Sequence, residues 1–439
     1  MTVTSRSIAD TESGSPARWC WERVAFPLLT AAGLIVLAII IAPGRTDTFR
    51  LIKDLALRAD GALAFVLVSA AIAWAGSGRI REMLREDRAA AMTLLAVLLW
   101  STITTLVSTN RPLSVPSLVD VFSAAAVFIM VWYGARWIPK WVLVTLIFTA
   151  ALNATLVMLQ SFRIWQPLDL EATATAPHHA NTALIGNPND VGSYLALVAL
   201  ILFAVASVER RLLMVLYGAG ALIATAGVVI SQTRTAVLAL TAGLLLVTLR
   251  RSRRAALIAI VLLAVAGAVA FSMRVRVVTR IADSIEMAAA GRWNDATSNR
   301  FTPIVAALEM FRERPLLGFG PKTFRYHHME YSAVVERDTS HGARRPGTNF
   351  LDVHNDHVQL LAETGLPGYA IFLSALFFLC RNPSASGSED SRRRIAAALG
   401  LPFAVTLAVL CLAQFPLHLA ITRHLIVTIA ALIVGWRRL

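Results

Sequence analysis

The chain has 439 residues, of which 56% are hydrophobic and only 15% charged, with a mean hydropathy of +0.63. That composition excludes a soluble domain of this length. A net charge of +14 could suit a nucleic-acid binder, but most of the surplus lies in short segments between apolar runs, where it sets membrane orientation.

In chain order, apolar runs at 24–42, 58–76, 89–108, 115–133, 140–160, 188–207, 212–231, 235–249, 255–272, 366–380, 395–415 and 417–436 are each long enough to be read as membrane spans. The expected fold is therefore an all-α polytopic membrane protein of about twelve transmembrane helices. Residues 1–23 read as a short cytoplasmic tail without a small-residue cleavage pattern, and the first span as an uncleaved anchor. Spans one to nine fill 24–272, a large polar loop fills 273–365, and the last three spans fill 366–439.

Charge placement orients this array. With the N-terminus inside, the inner loops carry Arg79, Arg81, Arg85 and Arg88, then Arg136 and Lys140, Arg210 and Arg211, Arg250 to Arg254, Arg392 to Arg394, and Arg437 and Arg438. The outer loops carry far fewer, such as Arg111, Arg163 and Arg234. The first outer loop, with Arg45, Arg50 and Lys53, fits poorly. The bias still places both termini in the cytoplasm and the large loop outside. That loop has two helix-like stretches, Arg300 to Arg314 and Phe350 to Thr364, and a turn-rich connector from Pro315 to Pro321.

Few titratable groups break the apolar pattern. His354 and His357 lie in a polar stretch, Asn349 to Gly368, that leads into a span; three residues apart, they would share one helix face. A neutral histidine is the natural general base for a hydroxyl near pH 7. With His327, His328 and His341, the pair could also supply metal ligands, but no HExxH-type spacing supports that. Arg234 stands in a very short turn between two spans, where a fixed guanidinium can meet a lipid phosphate or simply snorkel to headgroups. Arg300 opens the first loop helix, and Arg325 follows the Gly-Phe-Gly turn of Gly318 to Gly320. Gly186 to Asp190 is a strong helix start, with Asn187 as cap, Pro188 at the first position and Asp190 in the first turn. Such an N-terminus could also offer free amides to an anion. Three groups near the last span lack a role: His418, Arg423, which falls inside that span, and His424. The spans otherwise look nearly free of acidic residues apart from Asp120.

Taken together, GNPND ending at Asp190, SQTRTAVL from Ser231, Arg300, PLLGFGPKTF from Pro315, and His354-Asn355 followed by Gly365 and Gly368 resemble the bacterial O-antigen ligase and polymerase superfamily. The order of these motifs and the large outer loop before the last three spans are similar too. The resemblance implies a glycosyltransferase of the bacterial inner membrane with a GT-C-like fold, needing neither metal nor other cofactor. It would move O-antigen glycan from undecaprenyl diphosphate to a hydroxyl of lipid A-core on the periplasmic face, inverting the anomeric centre. His354 matches the catalytic histidine of that family, and Arg234 and Arg300 match arginines that hold the donor diphosphate. Arg325, Asn187, Asn355, Gly318 and Gly320 belong to the same motifs and are assigned with them to substrate binding. His357 and the Arg344-Arg345 pair have no counterpart.

An O-antigen polymerase or a protein O-oligosaccharyltransferase of the same superfamily is the nearest alternative. A transporter is a more distant one, since it predicts charges buried in mid-span.

Overall fold

The computed structural model describes residues 21–43, 47–165, 181–272, 276–336, 350–381 and 390–439. The tail, Cys20, Arg45, His341, Arg344 and Arg345 lie outside the described residues.

All regular structure among the described residues is helical. In order come α1 (Glu22–Ile39), α2 (Arg50–Ala75), α3 (Gly78–Glu86), α4 (Arg88–Leu106) and α5 (Arg111–Gly134). A 3₁₀ turn at Lys140–Leu143 leads into α6 (Val144–Ser161), followed by α7 (Pro188–Val208), α8 (Arg211–Ile230), α9 (Arg234–Arg251) and α10 (Arg253–Ser272). Next are α11 (Arg276–Ala289), α12 (Trp293–Ala296), α13 (Phe301–Glu313) and α14 (Phe324–Glu336). The last three are α15 (Asp356–Cys380), α16 (Ser391–Cys411) and α17 (Ala420–Trp436).

Nine of the described helices are long and apolar enough to cross a membrane: α1, α2, α4, α5, α6 with its 3₁₀ turn, α7, α8, α15 and α16. The other three expected spans coincide with α9, which carries Arg234, Arg250 and Arg251, with α10, and with the 17-residue α17.

Apolar surface explains the arrangement. Helix α7 is apolar on every side, so it is stable only when ringed by other helices; α8, α9 and α16 pack around it, and Tyr194 to Leu202 are buried without a break. Helix α4 has the opposite fate. Only Ala90, Thr104 and Thr105 are buried, while Met92, Leu95, Leu99 and Ile103 point outward. With Phe65, Trp74 and Leu222 they form an exposed apolar surface that water would penalise and a hydrocarbon layer would not.

Several expectations need correction. Helix α2 starts at Arg50, eight residues before the expected span, so Arg50 and Lys53 are helical rather than loop residues. Lys53 donates to the carbonyls of Leu37 and Ile40 at 2.8 and 2.7 Å, satisfying the C-terminal end of α1. The polar segment holds α11, α12 and α14 besides the two expected helices.

The spans are also less free of acid than composition suggests. Asp60 on α2 is buried and meets His424 of α17 at 2.8 Å. Asp120 is fully buried on α5 and gathers Arg58 at 2.7 Å, Lys322 at 3.1 Å and Arg423 at 3.5 Å. Arg423 therefore lies in the first turn of α17 rather than in mid-span, with a buried partner. These charges pair with one another and fasten the helices.

Candidate active site

The motifs converge on one end of the bundle. Asn187 caps α7, its side chain accepting from the Asn189 amide at 2.9 Å. Thr233, in the turn before α9, donates to the Pro188 carbonyl at 3.0 Å. The GNPND and SQTRT stretches are thus one structural unit, and Arg234 leaves it as the first residue of α9.

The Arg234 guanidinium bonds to the Arg280 carbonyl at 3.2 Å, to Ser284 Oγ, and to Ser298 Oγ at 2.8 Å, which ties down α11 and the turn after α12. Arg300 caps α13 and donates to the Ala413 carbonyl at 2.6 Å. Burial lowers the Arg300 pKa to about 10, and the like charges of Arg234 and Arg280 push the same way. The group remains protonated at neutral pH. None of these three arginines forms an ion pair with a described carboxylate, and Asp190 only partly opposes the like charges around Arg300.

The connector after α13 is explained by a break in α15. At Gly365 the backbone turns to φ +70°, and Pro367 has no N–H, so the carbonyls one turn earlier lose their helical donors. The connector supplies them: Phe319 N bonds Ala362 O at 3.0 Å and Gly320 N bonds Glu363 O at 2.9 Å. Trp100 Nε1 takes Thr364 O at 2.8 Å. The Glu363 carboxylate accepts from Lys322 N and Phe324 N at 2.8 and 3.2 Å. A Cβ at Gly365 would lie 2.2 Å from Leu316 O, and one at Gly318 would lie 2.4 Å from the Glu363 backbone. One at Gly320 would strike Ser108. These glycines let two backbones touch.

His354 is not on the helix, contrary to the expected shared face with His357. It stands before it in a left-handed conformation, φ +57°, while Asn355 caps α15 by accepting from Val358 N at 3.1 Å. The imidazole is edge-on to Phe415 with ring centres 4.7 Å apart, and its Nδ1 is buried without a hydrogen-bond partner. Burial and then the positive charge of Arg300 drive its pKa down to about 3, against the opposing pull of Asp352. It is neutral and free to accept a proton. His357 has both ring nitrogens engaged, by the Ala408 carbonyl at 3.0 Å and Tyr369 Oη at 3.2 Å.

The loop carrying His354 is anchored on both sides. Buried Asp356 accepts from Leu417 N at 2.9 Å and from His418 Nδ1 at 2.7 Å. Burial disfavours the His418 cation, but Asp356 more than offsets this and its pKa is raised. Asp352 faces Arg50 at 3.6 Å and Arg325 at 3.9 Å. Burial would raise its carboxyl, yet His418, Arg50 and Arg325 hold it below the usual range.

Sequence reasoning had not assigned Arg50, Arg280, Asp352, Asp356, Glu363 or His418 to this site. The usable signals were the poor fit of Arg50 to the charge rule and the lack of any role for His418. Of the assigned set, Arg234, Arg300, Arg325 and His354 present side chains to the site, whereas Asn187 and Asn355 use their side-chain oxygens as helix caps. His327 and His328 bond to Thr109 and to the Phe350 amide, and no cluster of three or more His, Cys, Asp or Glu that could hold a metal occurs among the described residues.

A bundle with an apolar belt and a cluster of arginines at one end defines a polytopic membrane protein whose basic end could meet an anionic head group. Residues 219–373, just over a third of the chain, match the family model described as O-antigen ligase. The matched segment spans Arg234, Arg300, the connector, His354 and the α15 break. No curated protein matches the chain.

Proposed function

We propose that the protein is an O-antigen ligase of the bacterial inner membrane. In this reading it transfers a glycan from undecaprenyl diphosphate to a sugar hydroxyl of lipid A-core. The basic end of the bundle and both termini face the cytoplasm, and the site faces the periplasm. The observation that carries the reading is the juxtaposition of a neutral His354, its Nδ1 unpartnered, with Arg300 of the arginine trio.

The acceptor oxygen attacks the anomeric carbon as the bond to the diphosphate oxygen breaks, inverting the centre. The hydroxyl proton passes to His354, and the electron pair of the broken bond leaves on the diphosphate. Arg234 and Arg300 meet that growing charge, each charge-assisted hydrogen bond contributing about 1.5–3 kcal/mol. Polyprenyl diphosphate is already a good leaving group, which makes this chemistry possible without a cofactor.

A base whose pKa is about 3 is too weak when the site is empty. Burial is the larger cause, and donor binding relieves the second: a diphosphate on Arg300 neutralises the charge that adds to burial in depressing His354. His354 is therefore a stronger base with the leaving group in place than in the empty site.

Reconstitution in liposomes with purified lipid-linked glycan and lipid A-core tests the reading, with a chelator added in parallel. Glycan appearing on lipid A-core, chelator or not, is the expected result. Extension of the lipid-linked glycan instead would identify a polymerase of the same superfamily.

A further inference from the structure

A cavity of about 140 Å³ adjoins the His354 loop, enclosed by the start of α2, the start of α7, residues 351–352 and the turn before α17. It shares no residue with the arginine trio. Its charge also differs in kind. Asp47, Asp54, Asp190 and Asp352 face it alongside Arg50, Arg325 and two lysines, so its carboxylates and its Lys/Arg groups are equal in number. The trio has three guanidinium groups and no paired carboxylate among the described residues. His354 feels both regions, Arg300 from the trio and Asp352 and Arg50 from the cavity lining.

We infer that this cavity is the acceptor subsite and holds a single polyhydroxylated sugar ring. The inference rests on the proposed ligase reading and deepens it. A diphosphate entering here would meet four carboxylates, and so would be disfavoured relative to the trio. A sugar ring has the opposite needs. Its hydroxyls donate to Asp190 and Asp352 and accept from Arg50 and Arg325, whose Nε is buried without a partner. Its volume is close to that of an engineered cavity of about 150 Å³ that takes one benzene ring, so it has room for one ring and too little for an oligosaccharide. The rest of the acceptor would extend outward past Leu351, which is 48% exposed at the rim. Asp352 is only two residues from His354, so a ring held by that carboxylate brings a hydroxyl to the base.

The test is steady-state transfer by the full chain in proteoliposomes, with lipid-linked glycan and lipid A-core varied separately. Arg325→Gln removes a donor from the cavity, and Leu351→Trp narrows its mouth without changing charge. Both are expected to raise the KM for lipid A-core about tenfold and leave the KM for the lipid-linked glycan within twofold. Arg280→Gln, on the other side, is expected to show the reverse. Thermal unfolding of each purified variant checks that it is folded. If the folded cavity variants leave the acceptor KM unchanged, or raise the donor KM instead, the subsite assignment falls while the ligase reading stands. If the unaltered protein transfers nothing to lipid A-core, the ligase reading falls and takes this inference with it.

Discussion

Both ends of the helix bundle are rich in arginine, but they use it oppositely. At the end holding α3, Arg79, Arg251, Arg392 and Arg437 donate to carbonyls at or just beyond the last turns of α5, α7 and α15. There a cation meets the negative end of the helix dipole and an unsatisfied carbonyl at once. Lys140 pairs with Glu209 at 2.6 Å, and Arg438 with Asp87 at 2.9 Å. Arg88, Arg211 and Arg253 open helices at the same end, but they are exposed to screening solvent. At the site end, Arg50, Arg234 and Arg300 stand at the starts of α2, α9 and α13, half-buried, against the positive ends of those dipoles. One end spends its arginines on stability and orientation. The other sets them against positive dipole ends, where Arg50 is met by Asp190 and Asp352 while Arg234 and Arg300 have no ion-pair partner among the described carboxylates.

The sharpest way to break this contrast is at its centre. His354→Ala is expected to lower transfer by about 10²–10⁴-fold, the usual contribution of a general base, while the protein folds and inserts normally. Full transfer by a correctly inserted variant would remove His354 from the mechanism. Arg300→Gln should cost about 10- to 100-fold in kcat/KM, the loss of one charge-assisted contact. It also removes a positive neighbour from His354, so the imidazolium becomes less disfavoured and its pKa rises from about 3. Because His354 must be neutral to act, the acid limb of kcat/KM then moves to higher pH. An acid limb that stays in place would show that Arg300 does not act on the base.

Stability should carry the same signature. His354 titrates near 3 in the fold but near the ordinary histidine value, about 6.5, once unfolded. Between those values the unfolded chain binds a proton that the folded one refuses, so stability falls as pH drops from about 6.5 towards 3. His354→Gln should flatten that part of a melting-temperature profile measured in detergent. An unchanged slope would place the loss elsewhere.

The same contrast explains what could be read without coordinates. The apolar runs follow directly from the hydrocarbon as solvent, so nine of the expected spans coincide with described helices long and apolar enough to cross a membrane. His354 and Arg234 stood out in the sequence as titratable groups close to spans, whereas Arg300 was singled out through the family motifs. What stayed hidden depends on contacts across long sequence separations. Asp356 meets His418, 62 residues on, and Asp120 meets Lys322, 202 residues on. The helix boundary at Asp356 was missed because local polarity suggested an earlier start, whereas the Asn355 cap and the left-handed His354 decide it. Arg50 looked like an error of the charge rule, which counts charges without asking what they face.

The smallest expected effect lies at the opposite end. Arg438 bridges Asp87 at 2.9 Å and Glu86 at 3.9 Å, with its own side chain 34% exposed. An ion pair whose guanidinium is that exposed is worth about 0–1 kcal/mol, since water and salt already reach Arg438. Arg438→Gln should therefore shift the melting temperature only slightly, and less still at high salt. Its distance from the site along the bundle predicts kcat and both KM values unchanged in proteoliposomes. Measured beside Arg300→Gln, it isolates position from charge: each variant removes one guanidinium, and only the one at a helix start beside His354 should slow transfer. Equal losses from both would mean that net charge, rather than where the charge is held, governs activity.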